Sequence, residues 1–109
     1  VDLQNLDNTY RDNMLIDKGA TVGEVITLKL VSGEEIIAKL VEEKVDSYRI
    51  SKPLALSMTQ KGIGMIPYLF TISPEKDIKI NKSTVVVIEA TDKEFADQYI
   101  QGTTGIKLV

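Results

Sequence analysis

The chain has no His and no Cys among its 109 residues. Those two zeros remove the Ser-His-Asp triad, thiol nucleophiles, zinc sites of the usual Cys/His kind, and disulfides. The groups left for acid–base or metal chemistry are carboxylates, and the most conspicuous occur as adjacent pairs, Glu34-Glu35 and Glu42-Glu43. On a strand, neighbouring residues point to opposite faces, so neither pair converges on one site. Gly62-Ile63-Gly64 lacks the strand-to-helix setting and the Gly-Lys-Ser/Thr ending of a phosphate loop. Ser83-Thr84 has no base to activate it. The expectation is a protein that is not an enzyme and needs no cofactor or metal.

The elements that carry these residues must fit in a single domain, because 12.1 kDa leaves no room for two. The chain is 43% hydrophobic and 27% charged, an ordinary globular balance. Its apolar residues are mostly β-branched or Leu, with only 6% aromatic. A net charge of −3 and a pI near 4.9 give no general basic excess for nucleic acid. Such binding would need a local cluster, or several copies that focus basic residues on one face. No apolar run approaches the roughly 20 residues that span a bilayer, and Val1-Asp2-Leu3-Gln4 does not open a signal peptide. The expected location is intracellular, with no membrane partner.

The chain reads in three parts. Residues 1–22 form an N-terminal extension or short helix, with Leu3, Leu6, Tyr10 and Met14 as a faint helical stripe. From Val25 the period becomes two. Ile26, Leu28 and Leu30 face one way, Ser32-Gly33-Glu34 turns, and Ile36, Ala38 and Leu40 alternate on the return. A third strand is expected over about 45–58, interrupted at Pro53, and a loop at Lys61–Gly64. A fourth strand follows over 65–72, then a short extended piece Ile78-Lys79-Ile80 and a fifth strand over 84–90. Residues 92–109 are a C-terminal helix and tail. Its proposed capping box is Thr91 with Glu94, its apolar face is Phe95, Ala96, Tyr99 and Ile100, and its stop is Gly102. The fold class expected is mainly β: a five-stranded, strongly bent antiparallel barrel over 23–91 with terminal helical segments.

Two strands carry more apolar surface than such a barrel can hide. Met65–Phe70 and Val85–Ile88 do not alternate, so both faces want cover. Unpaired apolar edges also invite another copy to pair with them. Ile66, Tyr68, Phe70, Val85, Val86 and Val87 are therefore the candidate interface of a homo-oligomer.

Two stretches resemble a known family. Leu28-Lys29-Leu30-Val31-Ser32-Gly33-Glu34-Glu35-Ile36-Ile37-Ala38-Lys39-Leu40 is similar to the first Sm motif: an apolar strand, a hairpin glycine at Gly33, then an alternating strand with a small residue, Ala38, where it bends. Ile80-Asn81-Lys82-Ser83-Thr84-Val85-Val86-Val87-Ile88 is similar to the second Sm motif, and Lys82–Val86 also resembles the corresponding turn of Hfq. The two occur in the family's order, and the resemblance spans roughly 23–91. It extends to the small Sm-like (LSm) proteins attributed to cyanophages.

The resemblance implies an SH3-like (Sm) barrel with an N-terminal helix that closes into a homo-oligomeric ring, the fourth strand of one subunit pairing with the fifth of the next. It also implies single-stranded RNA bound near the pore. By position, the RNA candidates are Asp46, Tyr48 and Arg49 in the loop after the second strand, and Asn81 and Lys82 in the loop of the second motif. An aromatic to stack on and a fixed charge suit that chemistry. The chain departs from the pattern in two places. No Asn follows Asp46 within Ser47-Tyr48-Arg49-Ile50, and Asn81-Lys82 replaces the family's Arg-Gly. Glu42, Glu43 and Asp46 would also dilute positive potential there. Two readings follow: an RNA chaperone or RNA-processing scaffold in the cytoplasm of a bacterial or phage-infected cell, or a ring-forming structural or protein-interaction module of a phage particle or host-takeover complex, without RNA.

Overall fold

A computed structural model describes residues 20–104. The helical stripe expected within 1–19 and the last residues of the tail lie outside the described residues. Alternating apolar residues give β1 (Val25–Leu30) and β2 (Glu35–Glu43), followed by β3 (Ser47–Thr59), β4 (Gly62–Pro67), β5 (Ile78–Asn81) and β6 (Val85–Ala90). A short 3-10 turn, Lys82–Thr84, joins β5 to β6, and the helix α1 spans Lys93–Thr103. The strands form one antiparallel sheet in the order β4-β3-β2-β1-β6, with β5 also on β3.

The period-two expectation places the core. Ile26, Leu28, Leu30, Ile36, Ala38, Leu40, Ile50 and Ile80 are buried on one face, with Tyr48, Tyr68, Ile78, Val85 and Ile88 packed against them. The sheet curls around this cluster because its register breaks at defined points. Lys52 and Pro53 together oppose Ala38, since Lys39 pairs with Ser51 and Ile37 with Leu54. Such a bulge adds twist and bends the strand. Ala38 is fully buried there. Lys52 adopts φ 50°, the left-handed region. A second bulge lies on β6, where Leu30 pairs with Val85 and Lys29 with Val87, leaving Val86 without an opposite number. The β1–β2 hairpin turns through Gly33 at φ 105°, as a tight turn requires.

The sheet has six strands where five were expected. Residues Gly62–Gly64, read from sequence as loop, begin β4 opposite Thr59–Ser57. The fourth strand then ends at Pro67 instead of running to 72, and sheet pairing resumes only at Ile78. Proline lacks a ladder N–H, and Ser73-Pro74 turns the chain away from the sheet. The short extended piece expected at Ile78-Lys79-Ile80 is the sixth strand, β5, and both it and β4 pair with β3.

The C-terminal helix forms, but its start differs. Its N-cap is Asp92, with no side-chain cap hydrogen bond. The expected capping box is absent because Thr91 is used elsewhere: its hydroxyl lies 2.8 Å from the Thr27 hydroxyl on β1, and its N–H donates to Val25 O. Gly102 falls inside the last turn, and the helix stops one residue later. Tyr99 is 3% exposed, Phe95 and Ala96 are half-buried, and Ile100 is exposed. The Tyr99 hydroxyl lies 2.9 Å from both Ser51 O and Lys52 O. It supplies a donor to carbonyls at the β3 bulge that neither β4 nor β5 reaches.

Candidate nucleic-acid interface

Two turns meet at one end of the sheet. The β2–β3 connection, Lys44–Asp46, is closed by the Lys44 N–H donating to Ser47 O at 2.9 Å. The β5–β6 turn is joined to it by the Lys82 N–H donating to Asp46 O, also at 2.9 Å. Between them, β3 and β5 pair Ser47 with Asn81, Tyr48 with Ile80, and Arg49 with Lys79. Residues far apart in sequence are thereby brought together: Asp46, Tyr48, Asn81 and Lys82 share this end.

The Lys82 ammonium lies 5.0 Å from the Tyr48 ring centroid and 2.7 Å from Glu43 Oε2. Its pKa is raised above 10.5, first by the hydrogen bond to Glu43, against an opposing desolvation, and then by the nearby charges of Glu43, Tyr48 and Asp46. Cation and ring form one unit: the ring's negative face attracts the ammonium, and the carboxylate holds it in place. Tyr48 is half-buried and packs on the core, whereas Asp46 and Asn81 are exposed.

Arg49 is not part of that unit. Strand alternation sends Tyr48 to the core side and Arg49 to the other face. There Arg49 Nε lies 3.6 Å from Glu42 Oε1, with Lys79 as its cross-strand neighbour. The adjacency of Tyr48 and Arg49 in sequence therefore separates a ring from a charge. Lys79 was not singled out by sequence reasoning. Its signal was the alternation of Ile78-Lys79-Ile80, which makes the lysine face outward. Glu43 enters the site as the partner that holds Lys82, a stronger role than diluting its potential.

The six interface candidates divide. Tyr68 and Val85 pack against the chain's own core. Ile66, Phe70, Val86 and Val87 are 47%, 79%, 62% and 45% exposed. Ile66 and Val87 belong to the two edge strands of the sheet, Val86 is the bulged residue of β6, and Phe70 follows the end of β4. Among the described residues, no group of carboxylates could hold a metal ion, and no helix is long and apolar enough to cross a membrane.

No protein-family model matches the chain, and no curated protein matches it. Among solved structures it is similar to a heptameric archaeal Sm protein, at 10% identity and a TM-score of 0.47, over 74% of this chain and 98% of that one. It is also similar to the SmAP1 heptamer of P. aerophilum, at 12% identity and a TM-score of 0.45, over 77% of this chain and 95% of that one.

Proposed function

We propose that this chain is an Sm-like, ring-forming protein that binds single-stranded RNA as an assembly and performs no chemistry of its own. The observation that carries the reading is the pair of open sheet edges, β6 on one side and β4 with β5 on the other, both bearing exposed apolar residues. An edge that displays unpaired backbone groups and apolar side chains is a template for another strand. Two different edges on one chain make a head-to-tail contact, which closes into a ring when the rotation per subunit allows it. The two sequence stretches similar to the Sm motifs point the same way.

A ring would repeat Tyr48, Asp46, Asn81 and Lys82 around one face. A single acidic subunit offers RNA little electrostatic attraction, whereas repetition makes weak contacts multivalent. Stacking of a base on an aromatic is worth about 1–3 kcal/mol. The test has two steps. Light scattering at micromolar concentration should return a multiple of 12.1 kDa, and titration with oligo-U and oligo-A should show salt-dependent binding. Tyr48→Ala should weaken it with little change in salt slope. A monomer overturns the ring. An intact ring that binds neither oligonucleotide at about 50 mM salt overturns the RNA reading.

One observation favours a second reading, a ring that serves as a structural or protein-interaction module. Both cations among the RNA candidates are paired with the chain's own carboxylates, Lys82 with Glu43 and Arg49 with Glu42.

A further inference from the structure

Strand alternation gives the sheet two apolar faces. The core lies on the face of Ile26, Ile36 and Ile50. On the outer face, Thr27 pairs with Ile37, Ile37 with Leu54, and Leu54 with Pro67. Leu56 opposite Met65 and Met58 opposite Ile63 continue that face toward the β3–β4 turn. The helix α1 covers one end of this strip. The Thr27 hydroxyl meets Thr91 just before the helix, and the Tyr99 hydroxyl reaches Ser51 O and Lys52 O. Ile37 is fully buried there although it stands apart from the core cluster. Past the helix the strip is open, with Met58 78% and Ile63 46% exposed.

The helix ends at the boundary between the covered and open parts. A groove of about 690 Å³ has Leu54, Pro67, Leu69 and Phe70 on one wall and Thr103 and Thr104 on another. Thr104 leaves the helix in an extended conformation, at φ −80° and ψ 139°. The sequence that follows is Gly105-Ile106-Lys107-Leu108-Val109, in which Ile106 and Leu108 flank a lysine at the spacing of a strand.

We infer that residues 105–109 dock in this groove, extended along the outer face of β3 and β4, with Ile106 and Leu108 turned into it and Lys107 turned to solvent. Three features choose this segment over another occupant. It starts at the groove wall, so the tether gives it an effective concentration of order mM that a free peptide must exceed. Its length fits: five extended residues span about 16 Å, and the open strip from Leu54 to Met58 runs about 13 Å. Its charge fits as well. Lys52 and Lys76 both line the groove, and an alternating strand keeps Lys107 away from them while presenting two apolar side chains. The segment thereby acts as a built-in ligand of the groove, and a foreign apolar peptide would have to displace it.

The chain has no native cysteine, so introduced pairs report cleanly. In Ile106→Cys, Phe70→Cys, oxidation should close a link within one chain roughly tenfold faster or more than in Ile106→Cys, Val87→Cys; in the latter the second thiol sits on β6, at the far edge of the sheet. Removing residues 105–109 should raise the binding of a hydrophobic dye several-fold. The full-length variant Ile106→Asp, Leu108→Asp should raise it as much, and Lys107→Glu should leave it at the parent level. Comparing those full-length variants separates loss of the two apolar contacts from a general loosening of the fold. Equal linking rates in the two cysteine pairs, or dye binding unchanged by the removal or by the double substitution, would overturn the docking. Links that join two chains instead of closing within one would also overturn it. Docking of this kind requires neither a ring nor RNA, so a monomer in light scattering would sink the ring reading and leave the docked segment standing.

Discussion

Tyr99→Phe isolates the join between α1 and the sheet. The substitution removes only the hydroxyl, and the ring stays in a site that is 3% exposed. That hydroxyl lies 2.9 Å from the carbonyls of Ser51 and Lys52, and its single proton is shared between them. Leaving a buried polar backbone group without a partner costs about 1–3 kcal/mol. The geometry strands at least one carbonyl, so the expected loss lies in that range. In urea, with a typical slope, the midpoint should fall by about 1–2 M. Tyr99→Ala adds a cavity and should lose about 3–5 kcal/mol. Burial pushes the Tyr99 pKa up from 10.0 to about 12, against a lowering by the Lys39 backbone. Below pH 10 both folded and unfolded states keep the proton and the contribution is complete. As pH rises from 10 toward 12 the unfolded state releases its proton first, so stability is lost progressively over that window. Phe cannot ionise, so the gap between parent and Tyr99→Phe should narrow there, while lysine titration common to both cancels. Equal urea midpoints at neutral pH, or a gap that stays constant across the alkaline window, would refute the view that this hydroxyl pins the helix to the bulge.

Substitutions at two further positions test the backbone strain and the site electrostatics. Lys52→Gly should raise thermal stability by up to about 1 kcal/mol, because glycine relieves the left-handed conformation at φ 50°, and Lys52→Val should lower it; a melting series in that order checks this. Glu43→Gln releases the Lys82 ammonium from its 2.7 Å contact. The Lys82 pKa should move down toward 10.5, and RNA affinity should rise, with the log–log salt slope steeper by about 0.7 per lysine made available. Fluorescence anisotropy across a salt series measures both, and an unchanged slope would remove Lys82 from the proposed RNA site.

Much of the core was legible because its signal is local. Ile26, Leu28 and Leu30, and then Ile36, Ala38 and Leu40, alternate on two strands joined by Ser32-Gly33-Glu34, and period-two patterning chooses the buried face without reference to the rest of the chain. Tyr99 was legible from helical spacing for the same reason. The helix start was misread because Thr91 and Asp92 are both good cap residues. The choice between them depended on Thr27, 64 positions away in sequence, whose hydroxyl engages Thr91. The fourth strand was read as continuous because apolar composition persists through Tyr68-Leu69-Phe70 after the pairing has stopped at Pro67.

At the candidate site the sequence alone determined which groups are available: a ring at Tyr48, cations at Arg49 and Lys82, acids at Glu42, Glu43 and Asp46, and neither thiol nor imidazole. It also determined that the two long apolar stretches could not both be hidden on one face. Only the tertiary structure decided who meets whom. The β3–β5 register places Lys82 on the Tyr48 ring and within reach of Glu43, and strand alternation turns Arg49 away toward Glu42. Side-chain types and local periodicity depend on a few neighbouring residues, whereas register and bulges depend on how distant strands share one core, and a shift by one residue would exchange the faces of every group in the site.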